Sequence, residues 1–248
     1  MLAFMPILSV RNLSLTIEEQ HILKSVTFDV EHGEVVGLIG PNGSGKTTLF
    51  NVLSGFLLPS HGSVRFMGDD ITRVSPSDRA KRGIGRVFQN FGIFREMTLE
   101  ENVLVALEAL PTEQRKALGN LKDAVRGTLD MIGLSHSAKK KAGSLSGGQM
   151  RLLEIARTLT SGKELFLLDE PTAGVSPKMT ARVADLIARL KQDGKTVLII
   201  EHDLPFISRI CDRVLVMDLG EIVIQGKSDE VKHHKKLQEI YFGADPAR

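Results

Sequence analysis

The stretch EVVGLIGPNGSGKTTLF at positions 34–50 decides how the chain is read. An apolar run, EVVGLIG, ends in a glycine-rich loop. KTTLFNVLSG follows, with Leu49, Val52 and Leu53 on one helical face and Gly55 placed to cap the end. Strand, loop and helix in this order are the setting in which G-x-x-x-x-G-K-[ST] becomes a phosphate site rather than a glycine turn. Gly40, Pro41, Asn42, Gly43, Ser44, Gly45, Lys46 and Thr47 fit the pattern, with Thr48 beside it. The glycines let successive backbone N–H groups turn toward phosphate oxygens. Lys46 is expected to place its charge at the β- and γ-phosphates, and the Thr47 hydroxyl to ligate Mg²⁺.

Two later apolar runs end in polar groups that suit the same chemistry. LFLLDE, at 165–170, reads as a buried strand that delivers Asp169 and Glu170 to the carboxyl edge of a sheet, where open sheets bind ligands. Alternation along the strand predicts that the two acids face opposite ways. Asp169 then suits a metal ion and Glu170 suits the proton of an attacking water. TVLIIEH, at 196–202, brings His202 to that edge as a donor to the γ-phosphate. Gln89, in GRVFQN, follows a short apolar run and is a candidate for contact with both metal and water. The other histidines, His21, His32, His61, His136, His233 and His234, read as surface or structural residues.

A second phosphate-facing helix start lies at LSGGQ, 145–149, directly before the helical run MRLLEIARTLT. Ser146, Gly147, Gly148 and Gln149 offer a hydroxyl, backbone donors and the positive end of a helix. A helix cap alone explains Ser146 but leaves both glycines unexplained.

The first thirty residues alternate in the manner of strands, ILSV and VTFDV, about a turn at IEEQH, which predicts an antiparallel edge sheet. From Thr98 to Ser144 the pattern is helical and polar, opening on a capping pair of Thr98 and Glu101. SPKMTARVADLIARLKQDGK sets Met179, Val183, Leu186, Ile187 and Leu190 on one stripe, and DRVLVMDLGEIVIQG reads as a hairpin. Apolar strands alternating with helices predict a mainly parallel sheet covered on both faces.

Bulk composition narrows the class. The 42% hydrophobic and 25% charged shares of the 248 residues are those of a globular chain, and 32 basic against 30 acidic side chains give +2, which argues against a dedicated nucleic-acid binder. One cysteine, Cys211, excludes an internal disulfide and fits a reducing compartment. The start reads as mature sequence, since Pro6 interrupts its short apolar stretch and no basic segment precedes it. The longest run free of Asp, Glu, Lys and Arg carries too many polar residues to span a bilayer, so a membrane role requires a partner.

The order GPNGSGKTT, FQN, LSGGQ, LFLLDEP, IIEHD resembles the ATP-binding subunits of ABC transporters across essentially the whole chain. The resemblance implies a P-loop NTPase (RecA-like) α/β fold: a mainly parallel sheet core with an antiparallel β edge subdomain and an inserted helical subdomain. It implies one ABC ATPase domain over 1–248, its core and β edge at 1–97 and 161–248, and a helical insertion at 98–160 carrying the signature. ATP and Mg²⁺ are the implied cofactors. Glu170, His202, Gln89 and Lys46 are the implied catalytic residues, and Thr47, Gln89 and Asp169 the metal ligands. A dimer is implied in which each ATP lies between the phosphate loop of one subunit and the signature pentapeptide of the other. The expected partners are integral permease subunits, an identical or related second ATPase subunit and, for an importer, a periplasmic substrate-binding protein; nucleic acid is not expected. The expected location is the cytoplasmic face of the inner membrane, peripherally bound.

Within that family, LIGPNGSGKTTLFNVLSGF, LLEIART, DEPTAG and EIYFG look like the ATPases of branched-chain amino acid importers, and the lipopolysaccharide-export ATPase is similar in many of the same places. Ile17 stands where the family usually stacks an aromatic residue on adenine, and Ser176 where many relatives have Asp or Asn. A soluble ABC-type ATPase acting on DNA or ribosomes would carry a long coiled-coil insertion or two cassettes, and neither fits here. A GTP-binding switch would need N-K-x-D, and GKSD at 226–229 lacks the asparagine.

Overall fold

The computed structural model describes residues 5–88 and 92–242. Its elements run β1 (Leu8–Ile17), β2 (Gln20–Val30), β3 (Val35–Ile39), α1 (Lys46–Leu53), β4 (His61–Phe66), β5 (Asp69–Asp70), α2 (Pro76–Arg82), β6 (Ile84–Val87), α3 (Leu99–Glu108), α4 (Thr112–Ala117) and α5 (Leu121–Met131). The second half continues with α6 (Gly147–Leu159), β7 (Leu165–Asp169), α7 (Pro177–Gln192), β8 (Thr196–Ile200), α8 (Leu204–Ile210), β9 (Arg213–Asp218), β10 (Glu221–Lys227), α9 (Ser228–Lys232) and α10 (Lys235–Phe242).

The loose alternation of the first thirty residues becomes a hairpin, β1 against β2, turned by Glu18 and Glu19 at positive φ. β4 and β5 extend it into an antiparallel sheet in the order β2-β1-β4-β5. The continuous apolar runs form the second sheet, β10-β9-β3-β8-β7-β6, parallel from β9 to β6. The hairpin read at DRVLVMDLGEIVIQG adds β10 antiparallel at its edge, with Leu219 and Gly220 both at positive φ as a tight twisted turn requires.

Both faces of this sheet are covered, which is why its strands are apolar throughout. Val36, Leu38, Leu165, Leu167, Leu198 and Ile200 face one core with α1 and the antiparallel sheet. Val35, Ile39, Phe166, Leu168, Val197 and Ile199 face the other, built with α3, α5, α6, α7 and α8. The α7 stripe holds: Val183, Leu186, Ile187 and Leu190 are buried, and Met179 packs at its margin. α3 opens on the expected capping box, with Thr98 and Glu101 bonded reciprocally. α6 packs on α3 and α5 and also on β6 and α7, so the helix that follows LSGGQ touches both the helical layer and the sheet.

The phosphate-loop helix α1 ends as expected on Gly55, at φ +83. The Gly55 and Phe56 N–H groups return to the carbonyls of Val52 and Asn51 in a Schellman pattern. Beyond it lies a feature that sequence did not flag. Arg79, fully buried, donates to the carbonyls of Val52, Leu53, Ile71, Thr72 and Val74. Burial pulls its guanidinium down to about 10, and the cation sits at the negative end of the α1 dipole. Arg79→Met is expected to remove a buried donor from all five carbonyls, leaving Val52 and Ile71 only their backbone partners Gly55 and Val74, at a cost of about 3 kcal/mol. Urea unfolding at matched pH checks it, and a midpoint equal to that of the parent chain contradicts it.

Candidate functional site

The loop between β3 and α1 is shaped by contacts that admit no side chain. A Cβ on Gly40 would stand 2.0 Å from the Met217 carbonyl oxygen, and one on Gly45, at φ +103, 3.0 Å from the Ile22 carbonyl oxygen. Lys46 is 6% exposed, and its ammonium donates to the carbonyls of Gly40 and Pro41, both at 2.8 Å, and to Ser44 Oγ at 3.4 Å. Burial lowers the Lys46 pKa, and the charges of Glu170 and Asp169 oppose that shift. The lysine therefore lies within the field of both acids at the end of β7. Asn42, Gly43 and Thr47 are exposed, Pro41, Gly45 and Thr48 half-buried, and Ser44 buried.

Asp169 closes β7 at 2% exposure. Burial raises its carboxyl above the usual range, and the guanidinium of Arg86, 3.3 Å away, works against that. Arg86 also donates to Asn51 Oδ1 and Ser54 Oγ, tying the acid to α1. Thr47 and Asp169 supply hard oxygen donors, and among the described residues no group of three or more His, Cys, Asp or Glu forms a metal cluster. One carboxylate and one hydroxyl suit Mg²⁺, a cation that keeps waters and phosphate oxygens as its remaining ligands.

Two strand ends differ from expectation. β7 stops at Asp169, and Glu170 leaves it in the left-handed region at φ +46, so backbone curvature rather than strand alternation separates the acids. Such a conformation costs a non-glycine residue about 1–3 kcal/mol and clusters at active sites. β8 stops at Ile200 rather than at His202, because Glu201 turns inward, 4% exposed, while His202 stays exposed. His202 Nε2 then stands 2.8 Å from Glu170 Oε1. Gln89 and Phe91 lie outside the described residues.

LSGGQ forms the start of α6, with Leu145 buried and Gly148 and Gln149 half-buried, and there Ser146 Oγ accepts from the Gln149 N–H and Gln149 Oε1 accepts from the Ser146 N–H. Gly148 has a packing reason that sequence did not supply: a Cβ there would lie 3.0 Å from Met179 Cγ on α7. Ser146 and Gly147 remain exposed. Ile17 is exposed on the β1–β2 hairpin, and Ser176 opens α7 without a side-chain cap bond. Three contributors were missed by the sequence reading. Arg86 and Glu201 sit at strand ends beside residues already singled out. Tyr241, from α10, accepts the Gly40 N–H at 2.9 Å across 201 positions of sequence.

The sequence beside Gln89 also holds an apolar set, Phe88, Phe91, Ile93, Phe94 and Met97, whose described members differ in exposure. Ile93 is buried in the core, whereas Phe88 and Phe94 are exposed. Phe88 meets the exposed Phe56 edge-on at 5.7 Å and carries Arg86 over its ring, lining a groove of about 400 Å³ with Arg79 and Arg157.

β3, β7 and β8 run parallel and all end at the same sheet edge, so a phosphate loop, a lysine, two acids and a histidine share one surface. Fold and site together define an ATPase of the P-loop class. Comparison with known proteins narrows it: the family model described as ABC transporter matches residues 23–173. The chain belongs to the ABC transporter family and is an ATP-binding, ATP-hydrolysing subunit of it. The probable branched-chain amino acid transport ATP-binding protein LivG of Methanocaldococcus jannaschii is 38% identical over 253 residues, spanning 96% of this chain and 98% of that protein. The high-affinity branched-chain amino acid transport ATP-binding protein BraF of Pseudomonas aeruginosa is 36% identical over 251 residues, spanning 96% and 98%. Among solved structures, the ADP conformation of MJ1267, an ATP-binding cassette of an ABC transporter, superposes with a TM-score of 0.85 at 36% identity, covering 97% of this chain and 100% of that one. A dimeric post-hydrolysis state of the cassette MJ0796, bound to ADP and Pi, gives 0.76 at 29% identity, covering 89% and 98%.

Proposed function

We propose that this chain drives branched-chain amino acid transport, hydrolysing Mg-ATP at a site completed by a second ATPase subunit and docked on a membrane permease. The observation that carries the chemistry is convergence: Lys46 lies in the field of Glu170 and Asp169, and His202 is bonded to Glu170. On this reading Lys46 exchanges its loop carbonyls for phosphate oxygens, assisted by the N–H groups of the Gly40–Thr48 loop. Glu170 accepts the proton of the attacking water, and His202 donates from Nε2 toward the γ-phosphate. Thr47 and Asp169, with Gln89, would hold Mg²⁺, which when bound neutralises charge on the β- and γ-phosphates. Ser146, Gly147, Gly148 and Gln149 face the nucleotide of the partner.

Several observations support the assembly. Ser146 and Gly147 at the start of α6 are exposed, and the cassette MJ0796 is dimeric with ADP and Pi. No helix among the described residues is long and apolar enough to cross a membrane, so transport requires separate permease subunits. The groove at Phe56 and Phe88 is the proposed docking face, with residues 98–160 as the helical unit beside it and 1–97 with 161–248 as the core. The proposed location is peripheral, on the cytoplasmic face. The names of the M. jannaschii and P. aeruginosa relatives support amino acids as cargo. Affinity capture from membranes tests the reading: recovery of a polytopic permease is expected, and recovery of nucleic acid without one overturns it.

A further inference from the structure

Glu201 has no part in the chemistry above, yet it is a carboxyl group 4% exposed beside the reacting edge. Its Oε1 accepts from the Thr172 N–H at 2.8 Å and from Thr172 Oγ1 at 2.6 Å. Its Oε2 accepts from the His202 N–H at 3.2 Å. One side chain thus ties together the two segments that leave adjacent parallel strands, β7 and β8, just past the end of their pairing at Asp169 and Ile200. Glu170 lies between these ties, in its left-handed conformation, with its N–H on the Ile200 carbonyl and its own carbonyl accepting from Ala173.

The arrangement is costly for a scaffold. Burial and the nearby charge of Glu170 both disfavour the Glu201 carboxylate, while the bonds from Thr172 and His202 favour it. A strained residue persists only where its surroundings over-determine it, and the residues around Glu170 are held on both sides by this one group. The other side of the same turn runs through Ala173 and Gly174 to Ser176, which opens α7. The Thr172 hydroxyl donates to no other acceptor among the described residues.

We propose that Glu201 is a positioning residue that brackets Thr172 and His202, fixing the Glu170–His202 pair and linking it to the 172–176 turn. The proposal rests on the assignment of Glu170 and His202 to hydrolysis. Losing a bracket of this kind displaces reacting groups by a fraction of an ångström to an ångström, which costs on the order of 10- to 100-fold in turnover.

The test is a double-mutant cycle in ATP turnover by the purified chain. Glu201→Ala is expected to lower kcat about 10- to 100-fold with KM for ATP nearly unchanged. Glu201→Gln keeps an oxygen for Thr172 but turns an amide donor toward the His202 N–H, so it should lose activity to a smaller extent and keep the parent melting temperature. In a His202→Ala background Glu201→Gln should cost little further, because the two act as one unit. Parent-like kcat in both single variants, additive losses in the double variant, or a rise in KM without a fall in kcat overturns the proposal. If Glu201→Ala does not fold, Glu201→Gln alone decides. Should Glu170→Gln or His202→Ala turn over at the parent rate, the assignment of those residues fails, independently of the bracket.

Discussion

Glu170→Gln is expected to slow ATP hydrolysis by about 10² to 10⁴-fold, the range for loss of a positioned general base, while nucleotide binding persists. The substitution keeps volume and one carbonyl oxygen. That oxygen still accepts from His202 Nε2, which stands 2.8 Å from Oε1, but an amide cannot take a proton from water. Binding should survive because the groups that hold phosphate lie on the β3–α1 loop, and Lys46 is held there by carbonyls rather than by Glu170. Removing one negative charge near the Lys46 ammonium leaves Asp169 as the remaining acid in its field, so affinity for ATP should change little. Single-turnover hydrolysis and equilibrium binding of a fluorescent ATP analogue separate the two effects. Rapid turnover by the variant would remove Glu170 from the chemistry; loss of binding would make it a structural acid.

How far the site could be read from sequence depends on how local its causes are. The phosphate loop was legible because glycines at fixed spacing are required by backbone approach, and the Cβ that Gly40 lacks would meet the Met217 carbonyl oxygen. β7 and β8 were legible because burial on both faces leaves continuous apolar runs. The way those strands end was not. Glu170 takes positive φ and Glu201 turns inward because of bonds to segments some thirty positions away. Arg79, Arg86 and Tyr241 act through contacts made only after folding: Arg86 is an arginine inside a short apolar run, and Arg79 lies in the polar stretch SPSDRAKR, which marks no buried cation. β4, HGSVRF, escaped for another reason: it is half-exposed, so its apolar alternation is short and interrupted. The signature stretch shows the reverse. Its capping box and the contact of Gly148 with Met179 are ordinary helix architecture, so what supports the proposed contact with a second nucleotide is the exposure of Ser146 and Gly147 at a helix start.

That exposure makes the second prediction specific. Ser146→Arg is expected to abolish cooperative ATP turnover and ATP-dependent dimerisation while leaving nucleotide binding by the single chain intact. Among the described residues the Ser146 hydroxyl bonds only locally, accepting from Gln149 in the capping box, so its loss should cost the fold about 1 kcal/mol, as for other N-caps. At a shared site the consequence is far larger. At the start of α6 the Gln149 N–H is taken by Ser146 Oγ, but the N–H groups of Gly147 and Gly148 have no intrahelical acceptor and can meet an anion, and a long side chain at the cap blocks that approach sterically. Positive charge alone cannot compensate, since an arginine there holds its guanidinium several ångströms beyond the helix tip, where a phosphate clamped by backbone donors must sit. Mixing provides the sharpest check. If the site is built from two chains, Ser146→Arg and Lys46→Ala subunits combined should recover one competent site in each heterodimer, pairing the intact loop of one with the intact helix start of the other. Turnover in that mixture above the sum of the separate variants is the expected result. A Ser146→Arg protein with parent-like cooperativity would place the nucleotide within one chain and leave LSGGQ as a helix cap.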